Sequence, residues 1–315
     1  MDARPEVPTR DAIDSAHARI APHVRTTPVL RPGAGAFGVE ADLTLKLELL
    51  QHTGSFKPRG AFNKLLTSSV PEAGVVAASG GNFGLAVAYA CRRLGYQAEI
   101  FVPSTSPLTK IDRVRAEGAT VHVIEGLYDD ASEAARARQS ETGALGMHPF
   151  DQPEVVAGQG TIGIELSRQV PEADTVLVSC GGGGLVGGIA AWFRKDVRVV
   201  AVEPEGSRCL DAALAAGEPT DVTVDSIAAD SLGARRVGSI AFETARTYVE
   251  RVALVPDAAI GTAQRALWRE LRLVAEPGGA AALAALMHGA YAPARDERVV
   301  VLVCGANGDP ADAIG

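Results

Sequence analysis

The sequence predicts an α/β protein of two domains, each a mostly parallel sheet flanked by helices. Three observations predict it. Short apolar strands alternate with helical stretches in two separate series, one over 74–150 and one after it, and such alternation implies parallel strands joined by right-handed crossovers. The texture breaks between the series at His148-Pro149-Phe150-Asp151-Gln152-Pro153. A chain of 315 residues is also large for one hydrophobic core. The expected division is a large domain from 1–73 and 151–315 and a small domain over 74–150.

The elements follow in order. Residues 9–22 read as a helix capped by Thr9, with Asp11 in its first turn and Ile13, Ala16 and Ile20 on one face. Pro22 and Pro28 bracket an extended link. The alternation Leu-Thr-Leu-Lys-Leu-Glu over 43–48 predicts a strand with one wet face. A glycine-flanked lysine loop leads to a helix over 60–66. In the first series, strands are expected at 75–78, 98–102 and 120–124, and helices at 83–94, 108–116 and 129–141, each helix closed by a glycine. The second series has helices at 158–166, 185–193 and 207–216 and strands at 176–178 and 197–202. A polar loop over 218–238 follows. Then come a helix at 239–248, a strand at 249–255, helices at 257–274 and 277–287, and a strand at 299–303.

Composition excludes several classes. The hydrophobic fraction of 47% and charged fraction of 22% are ordinary for a globular protein. The net charge is −8 without a lysine/arginine run, which argues against a phosphate-tracking nucleic-acid surface. The longest uncharged run, 73–91, is interrupted by Ser79-Gly80-Gly81-Asn82 and reads as strand, turn and helix, not a membrane span. The N-terminus shows no apolar leader core. The 4 cysteines are far apart with no zinc spacing, and the 6 histidines are scattered. A reducing cytoplasm and no resident metal are the expectations.

Three stretches can carry chemistry. In Gly54-Ser55-Phe56-Lys57-Pro58-Arg59-Gly60-Ala61, Lys57 stands in a segment with no helical or strand period. It is either a turn lysine or a buried amine made nucleophilic by a lowered pKa. Ser79-Gly80-Gly81-Asn82-Phe83-Gly84 lies between a buried strand and a buried helix, where bare N–H groups attract an anion; Asn82 by itself would also serve as an ordinary helix cap. Ser179-Cys180-Gly181-Gly182-Gly183-Gly184-Leu185 offers successive N–H donors able to wrap a phosphate. This loop has a competing reading. Gly182, Gly184 and Gly187 satisfy GxGxxG and Glu203 ends the next strand, as in a dinucleotide site. Three weaker candidates remain. Cys304 closes the last strand, as a site thiol or a structural cysteine. Glu276 ends a helix before Pro277-Gly278-Gly279, where a solvated helix end is the simpler reading. Ser231 lies in a loop placed to close over a ligand.

Together these stretches resemble one family, over nearly the whole chain: the fold type II pyridoxal-phosphate enzymes, with a tryptophan-synthase-β-like fold, in the serine/threonine dehydratase (threonine ammonia-lyase) and serine racemase branch. SFKPRGA resembles the Schiff-base lysine motif, SGGNFG the asparagine loop and CGGGGLVGG the phosphate loop; VAVEP, EPGGAA and CGANGD resemble later landmarks. In this order they demote the dinucleotide reading. The resemblance implies that Lys57 holds pyridoxal 5′-phosphate covalently beside Phe56, and that the freed Lys57 takes the substrate Cα proton. It implies that Asn82 bonds the cofactor's phenolic oxygen, and that Gly181, Gly182, Gly183, Gly184 and Leu185 bind its phosphate. Cys304 would meet the pyridine nitrogen, and Glu276 would stand in the cofactor site. Ser55, Ser79, Gly80, Gly81, Asn82 and Ser231 would contact the amino-acid substrate. The small domain would close over that substrate, and a homodimer or homotetramer is expected.

The departures refine the expectation. Gly80 stands where the racemase branch carries a serine that handles the opposite-face proton, so racemisation should be poor. Cys209 stands where metal-dependent relatives carry an acidic ligand after a glutamate matching Glu203, so no divalent metal should be required. Phe83 replaces a histidine or alanine. The chain ends just after the last strand, so no amino-acid-sensing domain is expected. The expected reaction is loss of water from threonine or serine, giving a 2-oxo acid and ammonia. A racemase or a β-replacement synthase of the same fold is the alternative.

Overall fold

A computed structural model describes residues 5–311. Residues 1–4 of the stretch searched for a leader, and the last four residues of the expected large domain, lie outside them. The chain opens with α1 (Arg10–Ile20), β1 (Val29–Leu30), β2 (Asp42–Lys46) and α2 (Pro58–Thr67). It continues through β3 (Val75–Ala78), α3 (Asn82–Leu94), β4 (Ala98–Pro103), α4 (Leu108–Ala116), β5 (Thr120–Ile124), α5 (Tyr128–Thr142) and β6 (Leu145–Met147). Then come α6 (Pro153–Gln169), β7 (Thr175–Ser179), α7 (Gly184–Phe193), β8 (Arg198–Pro204), α8 (Cys209–Ala216), α9 (Ala229–Leu232) and α10 (Ser239–Tyr248). The last elements are β9 (Val249–Val255), α11 (Asp257–Leu271), α12 (Pro277–Met287) and β10 (Arg298–Leu302).

Two parallel sheets organise the molecule. The larger has six strands in the order β1-β2-β10-β7-β8-β9, with only β1 antiparallel. The smaller has four in the order β5-β4-β3-β6, all parallel. β10 shows how the large sheet is buried on both faces. Val299, Val301 and Val303 pack under α11 and α12, while Val300, Leu302 and Cys304 pack under α7 and α10. A strand covered on both faces reads as a continuous apolar run because its alternation has nothing wet to register. The core beside the small sheet also takes Ile20 from α1 and Ala61, Phe62 and Leu65 from α2. No helix among the described residues is long and apolar enough to cross a membrane.

The sheet order positions the site. In each sheet the chain winds outward in one direction and then places a strand on the other side of its starting strand: β10 beside β7, and β6 beside β3. Such switch points open a crevice at the carboxyl ends of the strands, where α/β proteins bind ligands. β7 delivers the glycine loop, β10 delivers Cys304, and β2 leads to Lys57. β3 delivers Ser79-Gly80-Gly81-Asn82, and β6 delivers His148-Pro149-Phe150.

The structure corrects several expectations. The face of β2 expected to be wet is dry: Lys46 and Glu48 are both 0% exposed. Their charges are paired within the protein, as described below. Glu276 does not end a helix in solvent. α11 stops at Leu271, where Arg272 takes a left-handed conformation, and Glu276 caps the N-terminus of α12 with 2% exposure. β6, which sequence reading missed, has three residues and a glycine at its centre, too short for a period to show. The helix expected from 158 begins at Pro153, whose fixed φ suits a first helical position. The polar 218–238 segment contains the short helix α9.

Candidate active site

Lys57 sits at the N-terminus of α2, with Pro58 as the first helical residue. Its Nζ donates to Pro149 O at 3.0 Å and lies 5.1 Å from the Phe56 ring centroid and 5.6 Å from that of Phe83. Burial among these groups brings its pKa down to about 8, partly countered by Glu276. A cleft-facing amine with that proton affinity is a competent base and nucleophile near neutral pH.

The lysine's backbone is anchored from beneath. Arg59, fully buried, donates from Nε to Glu48 Oε2 at 2.8 Å, from one terminal nitrogen to Glu48 Oε1 at 2.7 Å, and from the other to Glu165 Oε1 at 2.7 Å. Lys46 Nζ completes the cluster on Glu165 Oε2 at 2.6 Å. Two cations and two carboxylates therefore balance in a dry interior, the condition under which buried charge is tolerated.

At α12, Pro277 has no N–H and Gly278 N and Gly279 N are bonded, but two other helix N-termini near this lysine carry no capping bond from an N-cap side chain: α3 behind Gly81 and α7 behind Gly183. Their orphan N–H groups and dipoles favour anions. Asn82 Nδ2 donates to Glu276 Oε1 at 2.6 Å, which ties α3 to α12. Ser231 Oγ, on α9, accepts from Gly278 N at 3.1 Å, and Leu232 packs against Gly181. Burial pushes the Glu276 carboxyl up, while Asn82, Lys110 and Lys57 draw it back. Burial also pushes the Cys304 thiol up, so it is neutral; its Sγ donates to Gly278 O at 3.4 Å.

The glycine loop leaves no room for side chains. A Cβ on Gly182 would lie 2.4 Å from the Phe150 ring, and one on Gly183 would lie 2.4 Å from Ala241 Cβ, with φ at +87° besides. Leu185 turns its side chain into the core, so only its backbone is available to a ligand. Gly183→Ala is expected to weaken cofactor binding about tenfold or more through strain and displacement of the loop. Titrating cofactor-free protein with pyridoxal phosphate checks this; unchanged affinity would remove the loop from the site.

Two further observations bear on the ligand. The hydroxyls of Ser55 and Ser179 are buried without a partner, at the lysine loop and at the start of the glycine loop. Glu203, by contrast, is occupied: its carboxylate accepts from Leu210 N and Asp211 N, both at 2.9 Å. It caps α8 and is not presented to a ribose, which disposes of the dinucleotide alternative. The acid-like position at 209 holds a thiol that donates to Gly181 O at 3.3 Å.

A buried amine among anion-seeking N-termini agrees with the family comparison. A model described as "Pyridoxal-phosphate dependent enzyme" matches residues 20–305. The chain belongs to this family. The pyridoxal-phosphate-dependent enzyme is 37% identical over 273 residues to an L-threonine ammonia-lyase of Thermotoga maritima, covering 85% of this chain and 68% of that protein. It is 34% identical over 307 residues to a serine racemase of Oryza sativa subsp. indica, covering 95% and 90%. The solved structure of maize serine racemase superposes with a TM-score of 0.90 at 32% identity, covering 96% of this chain and 95% of that one. Its fold is therefore type II, with two parallel-sheet domains. The donor set fits the cofactor: an amine for its aldehyde, a bare N–H loop for its phosphate and a neutral thiol near the ring site.

Most of the site residues expected from sequence lie in this region. Sequence reading missed four others. Asn307, in the CGANGD stretch, contacts Asn82. Phe150 walls the glycine loop, and Pro149 O holds Lys57. Lys110 forms an ion pair with Asp230 across the cleft mouth. The motif and the His-Pro-Phe turn were visible, but nothing local marked these residues as ligands of the site.

Proposed function

We propose that this chain is an ammonia-lyase that removes water from a β-hydroxy L-amino acid, threonine or serine, releasing a 2-oxo acid and ammonia. Bound pyridoxal phosphate would supply the electron sink. The chain's own groups divide the remaining work. Lys57 takes the Cα proton. Gly181 to Gly184 would hold the phosphate, Asn82 would meet the phenolic oxygen, and the N–H groups around Ser79, Gly80 and Gly81 would hold the substrate carboxylate, with Ser55 and Ser231 at the pocket wall. Phe56, Phe83 and Phe150 keep water from the base. The neutral Cys304 thiol would stand near the ring of the bound cofactor and would not supply the negative charge that a carboxylate there would.

The observation that carries this reading is Gly80. It bears no acid or base for the opposite face of Cα, and a Cβ there would meet Ser106 Oγ at 2.1 Å and Ser106 Cβ at 3.0 Å. The same observation supports one second reading. Ser106 brings a hydroxyl to the space a residue 80 side chain would fill, so a racemase using Ser106 is the alternative. A product assay decides between them. With L-threonine and L-serine, 2-oxo acid release should dominate; D-serine as the main product would overturn the lyase reading.

A further inference from the structure

We propose that Asn307 is a positioning residue that fixes which way the Asn82 carboxamide faces, so that an Asn82 N–H is always turned to the ligand. The inference rests on the reading in which Asn82 meets the cofactor's phenolic oxygen. Asn307 is 7% exposed. Its Nδ2 donates to Thr53 O at 2.7 Å and to Asn82 Oδ1 at 2.6 Å. An amide nitrogen has two hydrogens, so both are spent.

The chain of bonds has one possible direction. The Thr53 carbonyl can only accept, which fixes the nitrogen of Asn307 on that side. The second hydrogen of that nitrogen then requires an acceptor from Asn82, which fixes Asn82 Oδ1. Asn82 Nδ2 is left facing the other way. One of its hydrogens goes to Glu276 Oε1 at 2.6 Å, which leaves the other as the one available to a ligand. Glu276 Oε1 accepts from Asn82 on the far side, which agrees with the orientation that Asn307 sets. Reversing Asn82 would set two N–H groups against each other at Asn307, an uncompensated buried contact.

The backbone supports the same conclusion. Thr53 has φ +63° and Gly54 has φ +76°. A β-branched residue rarely adopts the left-handed region, and strain there persists only where the surroundings demand it. The Thr53 hydroxyl is buried without a partner, so the side chain is not what holds the turn. The carbonyl aimed at Asn307 is one of its ties, beside Gly54 N to Gln51 O at 3.0 Å and Ala306 N to Gly54 O at 2.9 Å. Gly54 allows the approach, since a Cβ there would lie 2.8 Å from Asn307 Oδ1.

The test uses the holoenzyme of wild type, Asn307→Ala, Asn307→Asp and Asn307→Ser. The readouts are the pH titration of the bound cofactor's visible absorbance and the cofactor dissociation constant, with thermal unfolding measured alongside. Asn307→Ala should shift the absorbance titration and weaken cofactor binding about tenfold, the equivalent of one charge-assisted hydrogen bond. Asn307→Asp should be worse than alanine despite its closer size, because it sets an acceptor against Asn82 Oδ1. Asn307→Ser, with one donor, should fall between wild type and alanine. In an Asn82→Ala background, Asn307→Ala should add no further spectral shift. Aspartate as mild as alanine, or an undiminished shift in the Asn82→Ala background, would overturn the proposal. Because the readouts report the cofactor, they hold even if the substrate proves not to be threonine or serine.

Discussion

Lys57→Ala is expected to leave the protein folded while turnover falls by about 10³-fold and the covalent cofactor chromophore disappears. The fold should survive because this amine forms no direct ion pair with a carboxylate among the described residues. Its hydrogen bond goes to a backbone carbonyl, Pro149 O, and its other close neighbours are the Phe56 and Phe83 rings. Removing a partly desolvated amine from such a place relieves strain more than it creates it. Two measurements check the prediction: 2-oxo acid release, and borohydride reduction followed by peptide mapping, which should tag Lys57 in wild type only. Near-normal turnover in the variant would show that another group does the chemistry.

Arg59→Ala, two residues along, should do the opposite and unfold the chain at much lower denaturant. Arg59 is fully buried between Glu48 and Glu165. Deleting it leaves Lys46 as the cation facing both carboxylates. Breaking a buried ion pair from one side typically costs about 3–5 kcal/mol, because the stranded charge cannot reach water. Urea unfolding at neutral pH measures the loss. Arg235→Ala is the control: Arg235 and Asp129 form an ion pair with both side chains well exposed, so its effect should be small. A cost for Arg59→Ala no larger than that of the control would mean that water reaches the cluster. Arg59→Lys should recover only part of the loss, since an ammonium cannot reproduce the bidentate contact with Glu48.

The βα alternation, the domain count and the candidate loops were legible in the sequence because each is a local property. A buried strand is apolar wherever its neighbours lie, and a glycine-rich turn between two apolar elements exposes its N–H groups whatever sheet it belongs to. Lys57 stood out for the same reason, as a charged residue in a stretch with no period. The order of the strands was not legible, because apolar runs do not name their partners. Only the placement of β10 beside β7 and of β6 beside β3 opens the two crevices that bring Lys57, Asn82, the glycine loop and Cys304 together. Lys46 makes the same point for a single side chain. Its alternating strand predicted a wet face, but its partner Glu165 lies 119 residues away. Whether a charge is solvated or buried depends on a group that periodicity cannot see. Asn307 and Glu276 likewise gained their relation to Asn82 only when β10, α12 and α3 met. The sequence by itself determined which elements form and which loops can bind anions. The tertiary structure decided which of them share a site, because hydrogen bonds and ion pairs follow distance in space and not distance along the chain.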